Sequence, residues 1–285
     1  MKTYFEGSMN GISKIILKVV SSNETFLEQA KKEKKEKVPF LIRNKYDVIT
    51  RTYETHEFHT INHQAKTNKH IVYFHGGALC LNGSISHWIM IDKWVKATDA
   101  KATYIMYPMI PDYKTHDIYQ ISFNMYKHLL DLYPDDEMFL IGDSAGALVI
   151  LSMMQLIQKE KINKPQSLIL LSPWLDYSLS NSDMKDYEHK DRVLAISRFK
   201  GMESYDSIGD KNQFVSPMVY PYEDSIHIYA GHEDILFPDM LLFEERNPDV
   251  NLKIFKECPH VFPLLPLKQS SIVHKEIINI IKNHE

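Results

Sequence analysis

Only two cysteines occur among the 285 residues, Cys80 and Cys258, and they stand far apart. That count gives no disulfide framework and no cysteine-rich metal site, and it suits a reducing compartment. Long apolar runs are missing too. No stretch approaches the roughly 20 residues of a membrane-spanning helix. The start of the chain lacks the apolar core of a secretory signal, because Ile15-Ile16-Leu17 is broken at once by Lys18. We therefore expect a cytoplasmic protein without a membrane partner. Neither sign of charge dominates: 33 Lys and Arg face 37 Asp and Glu, a formal net charge of −4. This balance gives no overall attraction to nucleic acid. The one dense charge run, Lys31–Lys37, mixes both signs and reads as a solvated helix face. No linker, repeat or low-complexity tract divides the chain, so one domain over residues 1–285 is expected.

What is present is a rhythm. Short continuous apolar runs at His70–Phe74, Ala102–Tyr107, Met138–Ile141, Ser167–Leu171, Ile226–Ala230 and Leu252–Lys256 read as parallel strands buried on both faces. Helical stretches around Trp88–Thr98, Ile118–Leu132, Ala145–Glu160, Pro238–Glu245 and Ser270–Lys282 alternate with them. Tyr46–Thr52 and His56–Asn62 alternate apolar and polar, like an antiparallel hairpin at a sheet edge. The pattern predicts an α/β fold with a mostly parallel central sheet and helices on both faces. Two segments stand outside it. Ile12–Glu36 has helical apolar spacing followed by a charged tail, and more than fifty residues separate Leu171 from Ile226, too many for a plain connection. Within that insertion a modest helical pattern spans Asp191–Met202. Residues 1–40 and about 176–221 are expected to form a lid.

Gly142-Asp143-Ser144-Ala145-Gly146 falls between a strand and a helix. A serine held between glycines on so sharp a turn presents its hydroxyl to a bound carbonyl. An isolated match of this kind arises by chance in about one chain in ten of this length, and a plain helix-capping turn would then explain it. The strand–turn–helix context argues against that bland explanation. Acyl transfer also needs a base, an acid to orient it, and donors for the oxyanion. His75-Gly76-Gly77-Ala78 follows the strand His70–Phe74 and offers unobstructed N–H groups on Gly76 and Gly77, to be joined by that of Ala145. Asp234 follows a later strand and His260 the last one. The chain order Ser144, Asp234, His260 is that of an α/β-hydrolase triad, at the strand ends where open α/β sheets bind ligands.

With these residues in view, the chain resembles the hormone-sensitive-lipase-like branch of the α/β-hydrolases. His75-Gly76-Gly77 is similar to that branch's oxyanion motif, and Gly142–Gly146 matches its G-D-S-A-G elbow. Tyr107-Pro108-Met109-Ile110-Pro111-Asp112 is similar to its Y-x-L-A-P-E segment, departing at Met109, Ile110 and Asp112. Gly231–Leu236 and His260-Val261-Phe262 resemble its acid-bearing and histidine-bearing motifs. The resemblance covers about Ile71 to Phe262 and implies an α/β-hydrolase fold and an esterase with a small-molecule ester substrate.

Rival residues are weighed against these. Asp176 follows the preceding strand, where some α/β-hydrolases place their acid. Asp143 reads as support for the elbow, His232 and Glu233 as surface loop, and Cys80 and Cys258 as packing residues. No histidine spacing suggests a metal site, and no cofactor is implied. The expected activity is hydrolysis of short-chain carboxylic esters. Amide or peptide hydrolysis, acyl transfer to an alcohol, and a non-catalytic receptor role stay open, as does a homo-oligomeric state.

Overall fold

The computed structural model describes residues 2–5, 24–34, 36–207 and 214–283. Among the described residues nine strands form one sheet. In chain order they are β1 (Lys2–Phe5), β2 (Ile49–Tyr53), β3 (His56–Ile61), β4 (Lys69–Phe74), β5 (Lys101–Ile105), β6 (Glu137–Asp143), β7 (Ser167–Leu171), β8 (Ile226–Gly231) and β9 (Asn251–Phe255). Their spatial order is β1-β9-β8-β7-β6-β4-β5-β3-β2. Pairing is parallel from β1 to β5 across that order, and antiparallel for β5–β3 and β3–β2. The expected parallel strands therefore exist with bounds shifted by a residue or two. The edge hairpin begins at Ile49, not at Tyr46, because Lys45 and Tyr46 are drawn aside to the carboxylate of Asp92.

Alternation along β4 shows how the sheet divides two cores. Val72 and Phe74 face one apolar cluster, and Ile71 and Tyr73 face the other. The first is filled by α4 (Thr115–Leu132), α5 (Ala145–Glu160) and α6 (Phe237–Arg246); the second by α3 (Ile85–Thr98) and α7 (Lys268–Asn283). Helix α5 is buried from Ala145 to Ile157, which is why its sequence is apolar all round rather than along one stripe. Among the described residues no helix is long and apolar enough to cross a membrane.

The structure differs from the expectations at four places. The sequence pattern missed β1, a four-residue strand too short to show a period, which joins β9 with Phe5 stacked on Phe255 at 4.5 Å. The helix expected over Ile12–Glu36 is far shorter where it is described. Residues 12–23 lie outside the described residues, and the remainder holds only α1 (Phe26–Ala30), started by a Thr25–Glu28 capping box. The charge run after it is exposed over Lys31–Lys34 but not helical, and Glu36 within it is not free in solvent. Glu36 accepts hydrogen bonds from the Gly83 N–H, the Trp88 indole and the Tyr104 hydroxyl, so it straps this segment to α3 and β5. A short helix α2 (Phe40–Arg43) follows. In the insertion, the helical pattern at Asp191–Met202 yields only a 3-10 turn at Ile196–Phe199, with another at Met202–Tyr205.

Candidate active site

The ends of β4, β6, β8 and β9 bring the predicted residues together. Ser144 stands between β6 and α5 with φ +49° and ψ −115°, a backbone state that costs about 1–3 kcal/mol and persists only when its surroundings enforce it. They do. The Ser144 N–H donates to the Leu171 carbonyl at 3.0 Å, and the Ser144 carbonyl accepts from the Trp174 N–H at 3.1 Å. The flanking glycines are required sterically: a Cβ at Gly146 would collide with the Phe74 carbonyl, and one at Gly142 would lie 2.8 Å from Ile150 Cδ1.

His260 reaches Ser144 from the loop after β9, with Nε2 2.9 Å from the serine Oγ. Its Nδ1 lies 2.9 Å from Asp234 Oδ2. Each partner is fixed from behind. Val261, in the left-handed region at φ +45°, donates its N–H to Ser172 Oγ, and Asp234 Oδ1 accepts the Leu236 N–H at 2.9 Å. With the Nδ1 proton held by Asp234, Nε2 is left to accept the Ser144 hydroxyl. Asp234 is fully buried, while His260 and Ser144 are 4% and 8% exposed. Burial works to lower the pKa of His260, but the charge and hydrogen bond of Asp234, with Asp191 and Asp143 behind them, outweigh it and move the imidazole above its ordinary 6.5.

Asp176 does not join this line. Its carboxylate accepts hydrogen bonds from the N–H and hydroxyl groups of Ser178 and Ser180 in its own loop. It lines a cleft with Asn181, Asp239 and Arg246 that does not include His260. Cys80 and Cys258 are buried, and burial pushes both thiols up to about 12, the range of inert packing residues.

The loop after β4 differs from expectation in one donor. The Gly76 N–H is taken by Asp143 Oδ1 at 2.9 Å and is not available to a substrate. Beyond it the chain runs through three successive positive φ values, +113° at Gly77, +54° at Ala78 and +58° at Leu79. No described hydrogen bond takes up the N–H of Gly77, Ala78 or Ala145. The sequence reading did not consider the Ala78 N–H, because the motif draws attention to glycine, while the Gly76 N–H is taken up within the structure. It also missed His87 of α3, whose Nε2 lies 3.3 Å from Asp143 Oδ1.

The same reasoning gave no role to the insertion's Asp191, which is 9% exposed and bonds to the Ile235 N–H beside Asp234. Nor did it foresee how α1 and the insertion meet. Arg198 stands over the Phe26 ring at 4.2 Å and donates to Glu24 O and Gln29 Oε1, and Phe26 meets Phe199 edge-on at 5.0 Å. Phe199 touches Trp174 in turn, which stacks on Tyr177.

A buried serine hydrogen-bonded to an imidazole, itself bonded to a carboxylate beneath the carboxyl ends of a parallel sheet, is an arrangement for nucleophilic acyl chemistry. The chain belongs to the alpha/beta hydrolase fold family, whose sequence pattern matches residues 71–264. An esterase of Acinetobacter venetianus is 26% identical over 203 residues, 68% of this chain and 66% of its own length. An esterase of Mycobacterium tuberculosis is 26% identical over 58% of this chain and 56% of its own. The chain thus spans less than two thirds of either of these relatives. Among solved structures, a Staphylococcus aureus protein considered to be an esterase superposes with a TM-score of 0.80 at 25% identity, covering 90% of this chain and 91% of that one. An esterase from the bacterial hormone-sensitive lipase family shares the fold at 16% identity, with a TM-score of 0.79 over 98% of this chain and 99% of its own.

Proposed function

We propose that this protein is a serine hydrolase of short-chain carboxylic esters. The observation that carries the reading is the buried line of hydrogen bonds from Ser144 through His260 to Asp234, with the serine held in a strained turn. Ser144 Oγ attacks the ester carbonyl while its proton passes to His260 Nε2; Asp234 fixes the tautomer and stabilises the imidazolium. The N–H groups of Gly77, Ala78 and Ala145 receive the oxyanion, a set that replaces the expected Gly76 with Ala78. His260 then protonates the leaving alcohol. In the second half-reaction it takes a proton from water, and the resulting attack frees the acid from the acyl-enzyme.

Two features favour short acyl groups. Ser144 is nearly covered, and α1 is joined to the insertion through Arg198 and Phe26, as the two parts of a lid would be. Each buried methylene gains about 0.8 kcal/mol only while it fits. Specificity constants for p-nitrophenyl esters should therefore peak between acetyl and hexanoyl and fall before decanoyl, with matching anilides far slower. A maximum at dodecanoyl or longer, or interfacial activation, would favour a lipase, and comparable anilide turnover an amidase.

A further inference from the structure

The turn that carries Asp234 is held by two carboxylates. One is its own: Asp234 Oδ1 accepts the Leu236 N–H at 2.9 Å. The other comes from the insertion, where Asp191 Oδ2 accepts the N–H of Ile235, the residue between them, also at 2.9 Å. The second oxygen of Asp191 is occupied as well, accepting from the Val193 N–H at 2.9 Å and the Leu194 N–H at 3.2 Å. A side chain so placed fixes two backbone segments against each other, one in the insertion and one bearing the acid. The groups facing it are Asp234 and His260, and Asp143 acts on the same imidazole. On its own segment Lys190 stands over the Tyr187 ring at 4.1 Å, and Arg192 is exposed. No cation pairs with Asp191 among the described residues, so its charge is not neutralised locally.

We propose that Asp191 is a positioning residue of the ester-hydrolysing site: it ties the insertion to the turn that aims Asp234 and adds a second negative charge behind the Asp234–His260 pair. It touches neither Ser144 nor the reacting atoms, so it acts through His260. The proposal rests on the hydrolase reading above. Burial and the charge of Asp234 lift the Asp191 carboxyl to about 6, with His260 working against them. Above that pH the added charge favours imidazolium, and below it the charge fades. Neutralising Asp191 should then make His260 easier to deprotonate.

The test is the pH dependence of Ser144 labelling by a small fluorophosphonate, which reads the base without engaging an extended acyl group. Asp191→Asn and Asp191→Ser should move the midpoint of the labelling curve downward by at least about 0.3 pH unit, because a negative charge near the imidazole is lost. Asp191→Glu keeps the charge on a longer arm that cannot hold the 234–236 turn as before. It should keep the wild-type midpoint while the high-pH plateau falls severalfold. Folded Asn or Ser variants with the wild-type midpoint overturn the proposal. If neither neutral variant folds, an Asp191→Glu plateau equal to the wild type overturns it. A wild type that takes no label overturns the hydrolase reading and this inference together; a labelled wild type with an unmoved midpoint in the neutral variants overturns only the inference.

Discussion

Asp143 and Gly76 are joined by a 2.9 Å hydrogen bond, from the glycine N–H to Oδ1, that links the residue before Ser144 to the loop after β4. The Tyr73 hydroxyl donates to the same oxygen, and His87 Nε2 lies 3.3 Å away. The carboxylate therefore sets the spacing between the nucleophile and the backbone donors assigned to the oxyanion. Burial alone would raise the pKa of Asp143, but the charge and hydrogen bond of His87 outweigh it and the net shift is downward. His87 moves the opposite way, since Asp143 overcomes the burial that would lower it.

Replacing Asp143 by Asn should lower kcat about tenfold with little change in KM, because a mis-spaced oxyanion donor is felt only as charge develops. It should also cost stability, by about 3 kcal/mol near pH 6, since a buried charged partner is left alone. The pH window follows from the two shifts. The raised His87 pKa gives stability that is complete below 6.5 and lost as pH rises through the higher folded value. The lowered Asp143 pKa gives stability that is complete above 3.8 and lost as pH falls through the lower folded value. Denaturation curves of wild type and variant should thus differ most between these limits. A constant difference from pH 4 to pH 9 would contradict the pairing.

Asp234→Asn should reduce turnover by about three to four orders of magnitude, through a mis-set imidazole tautomer. Asp176→Asn should leave turnover within a few-fold of wild type, because Asp176 bonds only within its own loop among the described contacts. Steady-state kinetics on both variants decide between them. An inactive Asp176 variant beside an active Asp234 variant would reverse the assignment.

The rate should rise with pH through a single acid limb as His260 loses its proton. Its midpoint should lie above the ordinary 6.5, in the direction that Asp234 imposes against burial. A plot of kcat/KM against pH for p-nitrophenyl acetate reads this directly. A midpoint below 6 would mean that burial, not Asp234, governs the imidazole.

The parallel strands, their connecting helices and the trio Ser144, Asp234 and His260 were legible because each rests on a local signal: an apolar run, a glycine-bounded turn, a short motif after a strand. What escaped was set by distance. β1 has four residues and is a strand only because β9 lies beside it. Glu36 looked solvated until α3 and β5 supplied its donors. Asp191 was one acid among many in a charged insertion, and its partner N–H lies 44 residues away. The engagement of the Gly76 N–H escaped for a related reason. Glycine at position 76 reads as an open N–H, yet that group is claimed by the carboxylate next to the nucleophile.

The most direct measurement of the central claim is hydrolysis of p-nitrophenyl acetate by wild type and Ser144→Ala, beside fluorophosphonate labelling of both. Removing one hydroxyl from a site held mainly by backbone hydrogen bonds should leave the thermal transition nearly unchanged. Turnover should fall by about 10⁴-fold or more, as for nucleophiles in other triads, and the label should be absent from the variant. A Ser144→Ala protein that still hydrolyses the ester at a rate comparable to wild type, or still takes the label, would contradict the account.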